Sequence, residues 1–177
     1  MEIVTERLLL RELEASDCSP SYLGWLQDPA VTQFLETRHS RQDAAAVEAF
    51  VRSVAARADE HLFGIFVRAQ NRHVGNIKVG PIHPIHRLAD ISLLIGERDC
   101  WGKGIASEAI AAISRLAFER LAVRKLAASM YAGNVGSAAA FLKCRYRQEG
   151  LRRDHYDLDG TRSDLVELGL LPEDLIR

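Results

Sequence analysis

Cysteine is sparse in these 177 residues, limited to Cys18, Cys100 and Cys144, an odd number with no Cys-x-x-Cys spacing. That count excludes a disulfide scaffold and fits free thiols in a reducing compartment. Proline (5) and glycine (12) are too few for a collagen-like or low-complexity chain. Neither sign of charge dominates: 23 Lys and Arg meet 24 Asp and Glu for a formal charge of -1. No whole-protein field therefore draws in a nucleic acid or a membrane polyanion. No apolar run approaches the roughly 20 residues of a membrane-spanning helix. The opening segment, Met1 to Arg7, carries acids and turns strand-like, unlike a secretory or transit peptide, so the cytoplasm is the expected location. The remaining composition, 47% hydrophobic and 27% charged, is that of a globular chain able to bury a core. Its length reads as one domain over residues 1–177.

Periodicity orders the elements. Glu6 to Leu13 alternates weakly around Leu8, Leu9, Leu10 and Leu13 as a first strand, and a short helix carrying Tyr22, Leu23, Trp25 and Leu26 is stopped by Asp28-Pro29. Ser40 and Asp43 resemble a capping box before the helical stripe Val47, Phe50, Val51, Val54 and Ala58. Leu62 to Val67 and Val74 to Val79 flank the turn Gln70-Asn71-Arg72 as a hairpin, and a further strand runs from Leu88 to Ile95. A long helix follows on the stripe Ala106, Ala109, Ile110, Ile113, Leu116, Ala117 and Leu121. A strand, Lys125 to Tyr131, precedes a helix from Val135 to Cys144 with Asn134 as its N-cap. Two last strands, around Tyr146 to Tyr156 and Arg162 to Leu170, are joined by a turn ending Asp159-Gly160. The order β-α-α-β-β-β-α-β-α-β-β predicts an α/β (α+β) fold: a mixed seven-stranded sheet with about four helices packed on it.

The segment Asp99-Cys100-Trp101-Gly102-Lys103-Gly104-Ile105-Ala106 lies between a strand and the most periodic helix. A helix start offers unpaired N–H groups and the positive end of the macrodipole, so a diphosphate binds there without many cations. Gly102 and Gly104 let backbone approach such a ligand, and Lys103 adds charge; a purely structural turn is the competing reading. A Walker loop is excluded, because Gly102-Lys103-Gly104 has neither its spacing nor its terminal hydroxyl residue. A dinucleotide fingerprint matches only in part: Ser107 stands in the third glycine's place, and no acid follows the next strand, which runs into Tyr131-Ala132-Gly133. His83 and His86 flank Pro84 with no matching Cys or Asp cluster, so no metal is expected. The basic cluster Arg145, Arg147, Arg152 and Arg153 reads as a solvated strand edge, with a cofactor 3′-phosphate as the other reading.

Three segments together resemble the GNAT superfamily of acyl-CoA-dependent N-acetyltransferases, in particular its branch of ribosomal-protein N-terminal acetylators. They are Thr5-Glu6-Arg7-Leu8-Leu9-Leu10-Arg11, Trp101-Gly102-Lys103-Gly104-Ile105-Ala106-Ser107-Glu108-Ala109, and Asn134-Val135-Gly136-Ser137-Ala138-Ala139-Ala140-Phe141. The resemblance implies a mostly antiparallel sheet whose fourth and fifth strands splay apart around the pantetheine arm of acetyl-CoA. It assigns the arm's backbone partners to Leu93, Leu94 and Ile95, and the pyrophosphate to Cys100, Trp101, Gly102, Lys103, Gly104, Ile105 and Ala106. Asn134, Ser137 and Phe141 complete the implied cofactor contacts. Asp99 departs from the pattern, which has Gln or Arg there, and is expected to turn away from phosphate or cap the helix. Arg145 stands where the family has glycine and is expected to strain the helix end.

The implied reaction is direct acetyl transfer to a primary amine in a ternary complex. Positioning of amine and thioester carries much of such a rate, and a backbone N–H near Leu94 is the implied holder of the carbonyl oxygen. Phe141 occupies the place of a tyrosine proton donor, so the resemblance passes the thiolate's proton to Ser137; a hydroxyl that merely bonds backbone is the bland reading. Asp90 is the implied base for the amine. Glu36, Arg38 and His83 are the candidate acceptor contacts, and Cys100 as an acyl-carrying nucleophile is disfavoured by direct transfer. The acceptor is a protein N-terminus or a small molecule such as an amino sugar nucleotide. A non-catalytic acyl-CoA-binding module is the alternative function, and the C-terminal strands of such sheets can pair two copies as a homodimer.

Overall fold

The computed structural model describes residues 1–175. One eight-stranded sheet has the order β1-β2-β3-β4-β5-β6-β8-β7. Its strands are β1 (Glu2–Val4), β2 (Leu8–Glu12), β3 (His61–Val67), β4 (Arg72–Val79), β5 (Leu88–Ile95), β6 (Lys125–Tyr131), β7 (Arg147–Leu158) and β8 (Thr161–Leu170). The helices are α1 (Pro20–Gln27), α2 (Pro29–Thr32), α3 (Ala44–Ala55), α4 (Ile105–Arg120) and α5 (Val135–Lys143). Every strand pair is antiparallel except β5 with β6. The expected seven strands become eight because Glu2–Val4 pairs with Leu9–Arg11 as a short edge strand.

The faces of the sheet carry separate apolar clusters. On one, α1 and α3 set Tyr22, Trp25, Val47, Val51 and Val54 against Leu13, Leu62 and Phe66. On the other, α4 buries Ile105, Ala109, Ile110, Ile113, Leu116 and Ala117, at the i, i+3/i+4 spacing of its stripe, against Leu8, Leu10, Phe63, Ile65 and Ile77. Pro29 ends α1 as expected, yet Asp28 also accepts from the Ala30 N–H and opens the one-turn α2, with proline at the first helical position where its missing N–H costs nothing. Ser40 is not the cap of α3. Asp43 is, its own carboxylate accepting from the Ala46 N–H at 2.9 Å, while the Ser40 hydroxyl donates to the Thr37 carbonyl.

The end of α5 is a complete Schellman motif built on the wrong residue type. The Tyr146 N–H bonds the Phe141 carbonyl, the Arg145 N–H bonds the Leu142 carbonyl, and the Phe141 and Tyr146 rings pack edge to face at 4.9 Å. Arg145 holds φ at +71°, the left-handed conformation that glycine adopts freely. The β7–β8 turn follows its sequence signal, with Asp159 and Gly160 at φ +53° and +83° between the paired Leu158 and Thr161.

Candidate active site

The parallel pairing of β5 and β6 lasts three residues, Leu88 to Asp90 against Lys125 to Ala127, and beyond it the strands part. β5 stays with β4 as far as Ile95, and β6 stays with β8 as far as Tyr131. Antiparallel alternation then fixes which backbone groups face the gap. Because the Gly80 N–H bonds the Asp90 carbonyl and the Gly96 N–H bonds the Val74 carbonyl, the even-numbered residues of β5 point their N–H and C=O groups at β4. Ile91, Leu93 and Ile95 point theirs into the gap. Leu94, expected to supply an N–H there, instead directs it across to Asn76 of β4. The Ile95 carbonyl accepts from the Trp101 indole N–H at 2.8 Å, which draws the following loop over the mouth of the gap.

That loop turns into α4 through Gly102 and Gly104, at φ +70° and +78°. Gly102 has open space where a side chain would begin, and Gly104 is the N-cap of α4. The first intrahelical bond runs from the Glu108 N–H to the Gly104 carbonyl, so the N–H groups of Ile105, Ala106 and Ser107 have no helical acceptor. The loop is braced from the far end of the chain. Arg7 donates to the Lys103 carbonyl at 2.9 Å and to Glu108 at 2.7 Å, and the Glu108 carboxylate also accepts from the Thr5 hydroxyl and the Arg7 N–H. Asp99 turns away from the helix start, as one of its two expected courses: both oxygens bond Arg72, whose guanidinium also pairs with Glu97. Glu97 accepts from the Trp25 indole at 2.8 Å, and Gly96 is required beside it, because a Cβ there would lie 2.0 Å from the Trp25 ring. Cys100 is half-buried, and burial pushes its thiol up, away from the thiolate a nucleophile needs.

Across the gap, the Asn134 side chain caps α5 by accepting from the Ser137 N–H at 3.3 Å. The Ser137 hydroxyl itself has no hydrogen-bond partner among the described residues, unlike a serine that merely bonds backbone. Phe141 is 2% exposed and belongs to the core, and the Tyr146 phenol packed against it is held inside by the buried Ser114 hydroxyl at 3.0 Å. Asp90, at the last paired position before the splay, has its carboxyl raised above the ordinary range by desolvation, with Lys78 pulling the other way. A raised carboxyl is a better base than an ordinary one.

On the α1/α3 face, a cavity of about 430 Å³ opens beside β4 and β5, lined among others by Tyr22, Val47, Asn76, Ser92 and Leu94. No arrangement of chain-local signals announces it, because its walls come from six separate segments. The 36–39 turn lies along its rim, but Glu36 and Arg38 are engaged elsewhere. Glu36 accepts from the Tyr131 hydroxyl, while Arg38 bonds the Gln33 carbonyl, the Tyr131 hydroxyl at 3.3 Å and the face of the Tyr131 ring. Together they tie the turn to the end of β6. His83 lies outside the cavity wall, its Nδ1 accepting from the N–H groups of Ile85 and His86 in the 81–87 loop. Among the described residues no cluster of three or more His, Cys, Asp or Glu is placed to hold a metal, and no helix is long and apolar enough to cross a membrane.

Comparison with known proteins bears on this geometry directly. The family model for the GNAT acetyltransferase domain matches residues 7–147. An uncharacterized N-acetyltransferase of Bacillus licheniformis, p20, is 26% identical over 171 residues, covering 96% of this chain and 95% of its own. Among solved structures, spermidine N-acetyltransferase from Vibrio cholerae, in complex with CoA and spermine, superposes with a TM-score of 0.84 at 19% identity, covering 96% of this chain and 98% of that one. The ribosomal L7/L12 alpha-N-protein acetyltransferase RimL, in complex with CoA, gives 0.84 at 20% identity over 96% of each chain. With its parted strands, its glycine loop at a helix start and a family model spanning most of its length, the chain belongs to the GNAT acetyltransferase family and is an N-acetyltransferase.

Proposed function

We propose that this N-acetyltransferase takes acetyl-CoA into the β5–β6 gap and passes the acetyl group directly to a primary amine, that of a protein N-terminus or a small molecule. The observation that carries the reading is the continuity of free main-chain groups. The gap-facing Leu93 groups and the Ile95 N–H lead, across the 96–104 loop that the Trp101 indole ties to the Ile95 carbonyl, to the unpartnered N–H groups of Ile105, Ala106 and Ser107 behind two left-handed glycines. Amides of that kind suit a pantetheine arm and a diphosphate in turn. The CoA bound by RimL and by the Vibrio cholerae spermidine enzyme supports the same ligand.

Each residue then has a task. The Leu93 N–H, rather than that of Leu94, faces the gap and holds the thioester oxygen as it gains charge. Asp90, its carboxyl raised by burial, draws the proton from the amine. The unengaged Ser137 hydroxyl gives its proton to the departing thiolate. A thiol's ordinary pKa near 8.5 makes that donation modest. Amine attack forms the C–N bond, and collapse of the adduct breaks the C–S bond and releases CoA.

Phe141, buried and without a hydroxyl, favours one second reading, a module that binds acyl-CoA without turnover. Calorimetry with CoA, followed by mass spectrometry of peptide, amino sugar nucleotide and polyamine acceptors incubated with acetyl-CoA, separates the two. We expect micromolar binding and acceptors heavier by one acetyl group. Binding with no acetylated product and no free thiol above background favours the module, and no heat at millimolar CoA ends both readings.

A further inference from the structure

We propose that the cavity of about 430 Å³ selects an α-aminoacyl acceptor with a bulky apolar side chain, and that Asn76 determines this specificity by donating to the acceptor's carbonyl oxygen. The proposal rests on the reading above that β5 presents the thioester.

Asn76 is 4% exposed and lines the cavity, yet its side-chain NH₂ has no hydrogen-bond partner. Buried polar groups are seldom left so. The other end of the amide is fixed, since its oxygen lies 2.8 Å from His73 Nε2. His73 is itself held by stacking on Phe66 at 4.6 Å and edge contact with Trp25 at 4.9 Å, and burial keeps its ring neutral. In the Nε2–H tautomer of that neutral ring, the amide oxygen is set toward His73 and the NH₂ away from it. The Tyr22 phenol oxygen lies near that NH₂ and is favoured electrostatically by it, but no well-formed hydrogen bond joins them, and the NH₂ has two protons to give. The free donor therefore meets an oxygen brought by a ligand.

Its place decides which oxygen. Asn76 stands directly across from Leu94, and residues of one cross-strand pair share a face. The donor is thus beside the strand segment whose Leu93 amide faces the thioester. An α-aminoacyl amine carries a carbonyl oxygen on the second carbon from its nitrogen; an amino sugar carries a hydroxyl at the same separation but brings further hydroxyls that need partners when desolvated. The larger side chains of the lining are mostly apolar, with Leu26, Val47, Phe50, Leu62 and Leu94, beside the neutral polar Thr37, Ser40, Gln42 and Ser92. The lining holds no Asp or Glu, and its two cations, Lys78 and Arg41, are paired outward with Glu60 and Asp43. A polyamine brings further positive charges that need carboxylates when desolvated. This cavity offers none.

The test uses the intact protein with acetyl-CoA and three amines: phenylalaninamide, 2-phenylethylamine and spermidine. We expect kcat/KM for phenylalaninamide to exceed that for 2-phenylethylamine at least tenfold and that for spermidine at least a hundredfold. Asn76→Leu, close in volume, abolishes the first preference through KM and leaves CoA affinity unchanged. Phe50→Glu, a substitution on a half-exposed rim residue that does not endanger folding, shifts the ratio toward spermidine at least tenfold. Spermidine as the better substrate, equal rates for the two aromatic amines, or no shift in Phe50→Glu overturns the assignment. If CoA still binds and acetyl transfer still occurs, only the acceptor assignment falls. Absence of CoA binding brings down both readings.

Discussion

In the proposed reaction Ser137 supplies a proton and Asp90 removes one, and their environments differ accordingly. Ser137→Ala should lower kcat about tenfold without changing CoA affinity, the small factor reflecting a leaving thiol that needs little help. Asp90→Asn should remove the acid limb of the pH–rate profile, a limb placed above the ordinary Asp value of about 3.9 because burial raises the carboxyl. Steady-state rates across pH, with calorimetry for CoA, check both; unchanged turnover in both variants refutes the assigned chemistry.

Asp17 makes the opposite electrostatic case. Its two oxygens bond Arg11 at 2.8 and 2.6 Å, and the guanidinium holds the carboxyl below its usual range against an opposing burial effect. A depressed folded-state pKa means the stabilisation is complete above about 3.9 and is lost as pH falls through the depressed value. Asp17→Asn should therefore cost on the order of 1 kcal/mol near neutral pH, a deficit that shrinks below about pH 4 in urea titrations run at several pH values.

At the scale of elements, α5 and the glycine loop are each shaped by a residue at their edge. Arg145→Gly relieves about 1–2 kcal/mol of left-handed strain, of which the greater unfolded-state freedom of glycine offsets about 0.4–1. The net effect is a rise in Tm of about 1–3 °C by calorimetry; an equal or lower Tm contradicts this account of the helix end. Arg7→Ala removes the brace on the Lys103 carbonyl and should weaken CoA binding about fivefold, the equivalent of about 1 kcal/mol for a half-exposed ion pair. Elements with strong local signals were readable before folding: β5 and β6 begin and end where the apolar runs do, and Asn134 and Asp159-Gly160 mark a cap and a turn. What local pattern cannot carry is long-range pairing. Arg7 and Glu108 are 101 residues apart, and the engagement of Glu36 by Tyr131 spans 95, so a free carboxylate in sequence is an occupied one in the fold. The three-residue β1 escaped for another reason, being too short for a period to show. The direction of the Leu94 amide depends on register with β4, which no single strand reveals.

Across the whole molecule, the two apolar clusters share one sheet as their common wall, so loosening either face strips cover from strands that the other face also needs. The expected consequence is a single unfolding transition. In Trp101→Phe, Trp25 remains as the only tryptophan and reports from the α1 face, and its fluorescence midpoint in urea should coincide with that of far-UV circular dichroism. Separated midpoints show instead that the faces melt independently.

The three-rung pairing of β5 with β6 has a kinetic corollary. Each strand is anchored to a different neighbour past Asp90, so their divergence is permanent masonry and not a door on a hinge. On the proposed reading, an incoming nucleotide should find its berth already excavated, and stopped-flow binding should show one exponential phase whose rate climbs linearly with concentration; a second, concentration-independent phase contradicts this.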